Sequence, residues 1–220
     1  MNAETQIAPA GEPVSTPAAA EGGRTGTLIR RSRDYAIVVC FVALFIALAI
    51  ASDVFLTSTN LLNVLEQNAP VGIIAIALTL VLVTGDFDLS AGAVYMLTGV
   101  LAASWAEPLG VWPALLAAVA CATAIGVVNG LLVAYARIDS FVCTLATGIV
   151  IAGVNLAITK GLIRSVADPA FTDLGTGELF GVKYAIWIFA AVAVAASVLL
   201  SRSKLGRWLF AVGGNPEAAR

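Results

Sequence analysis

The sequence predicts an all-α, polytopic membrane protein with about six transmembrane helices. Hydrophobic residues make up 60% of its 220 positions and charged residues 12%, about half the charged share of soluble domains. Apolar runs recur along the chain, several of them close to the roughly 20 residues with which an α-helix crosses about 30 Å of hydrocarbon. Basic clusters flank the first and the last run, as expected of segments that remain in the cytoplasm.

The N-terminal segment, residues 1–27, is predicted to be a disordered cytoplasmic tail. It is rich in Ala, Pro, Gly, Glu, Ser and Thr, and it carries too little apolar surface to offset its chain entropy. It is not a signal peptide, because a long polar region precedes the basic cluster and no short cleavable apolar core follows it. Arg30, Arg31 and Arg33 stand directly before the first apolar run, which predicts a cytoplasmic N-terminus.

The predicted membrane domain covers residues 28–201. Its apolar runs are 35–52, 70–84, 91–106, 111–135, 141–159 and 184–201, and a polar loop, 160–183, precedes the last of them. The second run is short, because a helix of its length reaches only about 22 Å at 1.5 Å per residue. Either the amphipathic stretch 59–68 extends this run to a full span, or a short helix stops within the membrane.

The second and third runs are separated by a break that contains Asp86 and Asp88. Burying a carboxylate in hydrocarbon costs at least a few kcal/mol unless it is paired, hydrated or protonated. One interpretation is a loop at the membrane surface, where Asp88 or Ser90 caps the following helix. The other is a polar break inside the membrane, a feature that transporters use along their substrate paths.

Two asparagines inside predicted spans also have two interpretations. Such residues usually form interhelical hydrogen bonds where small residues let helices approach, and the alternative is that they line a polar path. Thr144 and Thr147 are expected to bond back to carbonyls of their own helix. The candidate residues for a transport path or helix break are therefore Asp86, Asp88, Ser90, Asn129 and Asn155.

The sequence offers almost nothing to an enzyme. It contains no Gly-rich phosphate loop, metal-ligand set or nucleophile–base pair, so we predict no catalytic residue, metal site or cofactor. The three cysteines lie in apolar runs without CxxC spacing, and His is absent, which argues against a metal or redox site. The net charge is −2 and no strongly basic face is present, so the expected partner is the lipid membrane rather than nucleic acid.

Stretch 85–92 reads Gly-Asp-Phe-Asp-Leu-Ser-Ala-Gly. This stretch, and two others in the chain, resemble the permease subunits of monosaccharide ABC importers of the ribose/xylose type, whose members typically read Gly-Gly-Ile-Asp-Leu-Ser-Val-Gly at the first of these places. Asp86 thus replaces the second Gly and Phe87 replaces Ile. The positions that match are Asp88, Leu89, Ser90 and Gly92. The other two places are 129–133, with the segment up to 147–148, and the closing stretch 206–220.

The resemblance implies the membrane subunit of an importer in the bacterial inner membrane. Two permease subunits would form the pathway, an ABC ATPase subunit would drive it from the cytoplasm, and a periplasmic sugar-binding protein would deliver the substrate. ATP hydrolysis would belong to the separate subunit, so the chain itself is not an enzyme. Because Asp86 departs from the family pattern, the cargo stays open between ribose, another pentose, a hexose, a polyol and a nucleoside.

The closing segment, 202–220, resembles the cytoplasmic loop that docks on the ATPase subunit. Two glycines would allow a turn out of the membrane-proximal segment. Asn215-Pro216 would then start a short helix, with Asn as its cap and Pro at its first position, and Glu217 would favour the positive end of the helix dipole. The implied docking residues are Gly213, Gly214, Asn215, Glu217, Ala218, Ala219 and Arg220.

The resemblance also implies a longer protein, because family members contain roughly ten helices. This chain would be the N-terminal part of that fold, as a truncated gene product, a fragment or half of a split permease. Two other classes of function remain open. One is an ion-coupled secondary transporter in which Asp86 and Asp88 titrate during the cycle, and the other is a membrane partner that does not transport.

Overall fold

The computed structural model describes residues 24–163, 165–166 and 168–215. Most of the predicted tail and the predicted docking residues Glu217, Ala218, Ala219 and Arg220 lie outside the described residues. The chain divides into two compact units, residues 1–56 and residues 57–220. Each unit is described by itself.

The first unit contains one long helix, α1, Arg24–Ala51. Its part from Tyr35 onward is apolar, and nearly all of its side chains are exposed around the whole circumference. Phe45 packs against Phe41 and, edge-on, against Phe55, with ring centroids 6.3 and 5.3 Å apart. A helix that is hydrophobic all round belongs in a protein core or in lipid, and this segment is the predicted first apolar run.

The second unit consists of seven described helices and one short hairpin. The elements are α2 (Ser58–Val83), α3 (Ala91–Leu109), α4 (Val111–Ala134), α5 (Ser140–Thr159), α6 (Pro169–Thr176), β1 (Glu178–Leu179), β2 (Val182–Lys183), α7 (Tyr184–Arg202) and α8 (Lys204–Gly214). The two strands pair antiparallel. The predicted all-α architecture is confirmed, and the predicted polar loop proves to contain α6 and the hairpin.

Helix α2 joins the amphipathic stretch and the short apolar run into one helix. It has 26 residues and is therefore about 39 Å long. Its N-cap, Thr57, accepts the Asn60 N–H at 3.3 Å, and Pro70 lies inside the helix without ending it. The alternative of a short helix that stops at depth is therefore wrong.

Small residues set the packing of two helix groups in this unit. Helices α3, α4 and α5 pack against one another with fully buried alanines between them, among them Ala106, Ala114 and Ala118. Helices α2, α7 and α8 form the other group, in which Gly72 leaves room for the ring of Phe189. Close approach at small side chains is how helices associate in lipid, where hydrocarbon adds no hydrophobic drive between them.

Helix α3 ends later than the sequence predicts. The prediction placed its end before Glu107, whereas the helix continues through Pro108 to Leu109. Gly110, with a φ of 83°, then turns the chain into α4. Proline is tolerated here because only one backbone hydrogen bond is lost, close to the end of the helix.

Among the described residues, four helices are long and apolar enough to cross a membrane, namely α2, α4, α5 and α7. The apolar part of α1, Tyr35–Ala51, is shorter, and α3 is not among the four. The protein is therefore a polytopic helical membrane protein, as predicted. The count of six crossings stays a prediction.

The end of α2, the end of α4 and the start of α5 line one cavity together with part of α8, so the bundle of long helices has two distinct ends. At one end, which we name the α8 end, Gly213 of α8 lies against the last residue of α2, Val83. The other end, which we name the hairpin end, carries α6 and the two strands. There Lys183 pairs with Glu178 at 2.8 Å, and this hydrogen bond raises the pKa of Lys183 above its ordinary value.

Candidate functional site

The break between α2 and α3, residues 84–90, begins as a tight turn. Thr84 ends α2 in a helical conformation, and its hydroxyl donates to the Val81 carbonyl at 2.7 Å. Gly85 follows with a φ of 88°, a conformation that favours glycine because it lacks a Cβ atom. The chain then leaves the end of α2 and runs toward the first turns of α5.

The next stretch, residues 87–90, lies along α5 as a segment without regular structure, and we name it the inserted segment. The Phe87 N–H donates to Ser140 Oγ at 3.2 Å, and the Leu89 N–H donates to Thr144 Oγ1 at 3.1 Å. A Cβ atom on Gly148 would lie 3.4 Å from the Leu89 carbonyl oxygen and 3.5 Å from Ser90 Cα. From Ser140 to Gly148 is about 12 Å along the helix axis, so the inserted segment enters the bundle instead of staying at its end.

A chain of side-chain hydrogen bonds holds the end of the inserted segment. Asp88 Oδ1 accepts both the Ser90 N–H, at 2.8 Å, and the Ser90 hydroxyl, at 2.6 Å. Asn129 Nδ2 donates to Ser90 Oγ at 3.1 Å, and the Thr147 hydroxyl donates to Asn129 Oδ1 at 2.7 Å. We name these four residues the break network. It connects the break with α4 and α5.

Two members of the break network are buried, Ser90 at 1% and Asn129 at 7% exposure, while Asp88 and Thr147 are half-buried. Unpaired polar groups are costly in an apolar interior, and here both polar atoms of the Asn129 amide have partners. Such satisfied networks rigidify a core. The arrangement therefore fixes where the inserted segment ends and α3 begins.

Two expectations about hydroxyl groups are corrected by these contacts. Ser90 occupies the N-cap position of α3, but its side chain makes no capping bond; it donates to Asp88 instead. Thr147 donates across to Asn129 rather than back to its own helix. The Thr144 hydroxyl does donate to a carbonyl of its own helix, that of Ser140, at 2.7 Å, and its oxygen also accepts the Leu89 N–H. Sequence periodicity alone gives no signal for the Thr147 contact.

Asp86 stands apart from the break network. It lines a cavity of about 840 Å³ at the α8 end, together with the α4–α5 loop and part of α8. Arg137 and Asp139 line the same cavity. Arg137 has a φ of 55°, in the left-handed region, and Asp139 caps α5 by accepting the Val142 N–H at 3.2 Å. Sequence reasoning did not single out Arg137, because an arginine in a loop between spans is unremarkable by itself.

The two glycines predicted to form a turn, Gly213 and Gly214, are instead the last residues of α8. Asn215 follows as the C-terminal cap of this helix rather than as the start of another. Gly213 is needed for close packing, since a Cβ atom there would overlap the Val83 carbonyl oxygen, whereas Gly214 has open space around it. At the other end of α8, Ser203 Oγ accepts the Gly206 N–H at 2.9 Å.

Asn155, the last predicted site residue, lies nearer the hairpin end. It is 7% exposed, and its Nδ2 donates to the Ala93 carbonyl of α3 at 3.3 Å. The side chain also lines a cavity of about 280 Å³ between α3 and α5. Helix α5 therefore contributes to two separate sites, with Thr147 in the break network and Asn155 nearer the hairpin end.

The fold and the site define a polytopic helical membrane protein whose bundle admits a polar, non-helical segment. Residues 60–220 match the family described as "Branched-chain amino acid transport system / permease component". Because the match covers most of the chain, the protein belongs to this family of membrane permeases. No solved structure matches the chain significantly.

Two of the relatives are named as permeases for ribose and for L-arabinose. The ribose import permease protein RbsC of Escherichia coli (strain K12) is 36% identical over 190 residues, which cover 81% of this chain and 58% of that protein. The L-arabinose ABC transporter permease protein AraH of Azospirillum brasilense is 35% identical over 219 residues, covering 97% of this chain and 62% of that protein. The chain thus spans about 60% of the length of the curated relatives that it matches.

Proposed function

We propose that this chain is the transmembrane permease subunit of an ATP-driven importer for a monosaccharide or a related polyol. The observation that carries the proposal is the similarity of at least 81% of the chain to permeases named for ribose and for L-arabinose. The family's own description names branched-chain amino acids, so the cargo is the part of the proposal that most needs a test.

The geometry of the break supports a role in a transport path. The inserted segment is held by side-chain hydroxyls of α5 and by the break network, not by a backbone ladder. Irregular backbone at membrane depth is tolerated where protein buries it or where it lines a water-filled cavity. In our proposal the inserted segment separates the cavity at the α8 end from the cavities nearer the hairpin end, and this segment moves during the transport cycle.

The proposed partners occupy the two ends of the bundle. An ABC ATPase subunit would bind α8 and the residues that follow it from the cytoplasm, and a periplasmic sugar-binding protein would approach the hairpin end. A second permease chain, identical or different, would complete the pathway. The long exposed apolar faces of the helices suit both lipid and such a second chain.

The test is uptake by the assembled system. We would co-express the chain with its ATPase and binding protein, reconstitute them in vesicles, and measure uptake of labelled ribose, arabinose and leucine with ATP held constant. Sugar uptake that requires ATP and survives an uncoupler is the expected result. Uptake of leucine without either sugar would contradict the proposed cargo.

Ion-coupled secondary transport is a second candidate, and one observation favours it. Asp86 lies beside the large cavity at the α8 end, and its carboxylate is held, within the described residues, only by a long 3.4 Å bond from the Thr84 hydroxyl. A carboxylate beside such a cavity would be open to a coupling cation. Uptake that collapses with the uncoupler at constant ATP would favour this candidate, and no uptake of any kind would favour a membrane partner that does not transport.

A further inference from the structure

We propose that Asn155 offers its side-chain oxygen to a hydroxyl group of the transported sugar, in a cavity between α3 and α5. This inference rests on the proposed function, because it names one contact on the path that the sugar would take. It also favours one class of cargo over another, the neutral polyol over the amino acid.

The bonding of Asn155 is incomplete. Its Nδ2 has a partner in the Ala93 carbonyl, but its Oδ1 is buried and has no hydrogen-bond partner within the described part of the chain. Buried side-chain polar atoms nearly always have a partner in protein or ordered water. By contrast, both amide atoms of Asn129, an asparagine with the same 7% exposure, are used. The free oxygen of Asn155 therefore points to a donor that comes from outside these residues.

Asn155 faces space that a small molecule can occupy. The cavity it lines measures about 280 Å³, room for about nine waters at about 30 Å³ each. The rest of its wall is apolar except for one threonine: Ala93, Met96, Val100, Ala152, Leu156 and Thr159. Met96, Val100 and Thr159 also line a larger cavity of about 620 Å³, which reaches the loop after α5 and Phe171 of α6. The site thus has an approach from the hairpin end.

The chemistry of this wall selects for an uncharged ligand. No charged side chain is found among the described residues that line the two cavities. Burying the ammonium or carboxylate of an amino acid there would leave a charge unpaired, which is strongly unfavourable. A sugar carries hydroxyl donors for the oxygen of Asn155 and apolar C–H faces for Met96 and Val100. Sites of this kind combine apolar walls with a few placed polar groups.

The position of Asn155 on α5 fits a path that the inserted segment closes. Asn155 lies seven residues beyond Gly148, two turns along the same face of the helix and about 11 Å farther toward the hairpin end. Gly148 is the residue against which the inserted segment packs. A sugar held at Asn155 would therefore wait directly beyond that segment. A single hydrogen bond also holds it weakly enough to leave, as conduction requires.

The first experiment replaces Asn155 by Leu in the complete reconstituted assembly. We expect KM for ribose or arabinose uptake to rise about tenfold, because one hydrogen bond to the sugar is lost, while the maximal rate changes less than twofold. Thermal stability of the assembly should change little, because loss of the bond from Nδ2 to the Ala93 carbonyl is offset by removal of an unsatisfied buried acceptor. Thr123→Val is the matched control, since Thr123 is exposed on α4 and donates to its own helix at 2.8 Å.

The second experiment does not depend on the folding of that variant. In a background with its native cysteines replaced by Ala, Thr159→Cys and Thr123→Cys are labelled with a small thiol reagent. Ribose or arabinose at saturating concentration should slow labelling at position 159 at least threefold and leave position 123 unchanged.

Either of two results would overturn the assignment: an unchanged KM in an assembled Asn155→Leu variant, or no protection of position 159. In that case the donor belongs to another protein segment that covers the cavity. Failure of the unaltered assembly to take up sugar would instead overturn the proposed function, so the two failures are distinguishable.

Discussion

Asp88 stabilises the break through a single carboxylate oxygen, which accepts two hydrogen bonds from Ser90. Ser90 Oγ in turn accepts a hydrogen bond from Asn129 Nδ2, and Asn129 Oδ1 accepts one from the Thr147 hydroxyl. The position of each side chain in this series therefore depends on its neighbours in the series. A change at Asp88 should therefore reach α4 and α5, although Asp88 touches neither helix through these bonds.

We predict opposite outcomes for two substitutions of Asp88. Asp88→Asn keeps an acceptor oxygen and should retain much of the folded, assembled protein. Asp88→Leu leaves the Ser90 N–H and hydroxyl without their acceptor, at a cost of about 1–3 kcal/mol for each unsatisfied group. The measurement is the yield of monodisperse protein in detergent and its thermal midpoint. Yield and midpoint equal to wild type for Asp88→Leu would contradict a structural role.

At the residue scale, the sequence identified members of the site but not all of their connections. Asp88 and Ser90 are two residues apart, so their bond follows from local geometry. The pairs Ser90–Asn129 and Asn129–Thr147 are 39 and 18 residues apart, and they depend on how the helices rotate about their axes. Uniformly apolar spans give weak information on that rotation, because lipid-facing and protein-facing sides have similar composition.

Helix α8 packs against α2, although the two helices are far apart in the sequence. Gly213 lies against the Val83 carbonyl oxygen, one residue before the break begins. A partner that moves α8 would therefore press on the end of α2, next to Asp86. This contact provides a physical route from the proposed ATPase-docking end to the inserted segment.

Two adjacent glycines of α8 provide a matched test of that contact. Gly213→Ala places a methyl group into the Val83 carbonyl, so it should displace α8 at a cost of about 1–3 kcal/mol, as overpacking does. Gly214→Ala meets open space and should stabilise the helix by up to about 1 kcal/mol, because Ala is the better helix former.

Amide hydrogen exchange of residues 204–214 is the measurement. Faster exchange is expected for Gly213→Ala and equal or slower exchange for Gly214→Ala. Equal exchange in the two variants would mean that α8 does not depend on its contact with α2.

At the element scale, apolar run length predicted most helices well. Helices α4, α5 and α7 begin and end within one residue of the predicted runs. The prediction failed where proline or glycine was treated as a helix boundary: Pro108 lies inside α3, and Gly213 and Gly214 complete α8. At Pro70 the predicted alternative of a continuous helix is the correct one. These residues weaken a helix locally, but neighbouring helices can offset that cost through packing.

At the scale of the whole molecule, the directions of the helices say more about how many of them cross the membrane than their hydropathy does. The end of α2 and the end of α4 both line the cavity at the α8 end. The two helices therefore run in the same direction, and α3 must carry the chain back between them. It does so although it is not among the helices that meet the length and composition criteria. Within residues 57–220, this gives five passes along the bundle, through α2, α3, α4, α5 and α7.

Whether α1 adds a sixth crossing decides on which side the N-terminal tail lies. Basic residues lie in the first part of α1, directly before its apolar part, and at and after the end of α7, at Arg30–Arg33 and Arg202–Arg207. The positive-inside bias would place both clusters in the cytoplasm. An even number of crossings satisfies that bias. We therefore predict that Ser15 and Arg207 are cytoplasmic and that Asp173, in α6, is on the opposite side.

In a background with Cys40, Cys121 and Cys143 replaced by Ala, single cysteines at positions 15, 207 and 173 would be labelled with an impermeant thiol reagent in intact cells and in inverted vesicles. Labelling of position 173 alone in intact cells is expected, and labelling of positions 15 and 173 from the same side would show that α1 does not cross.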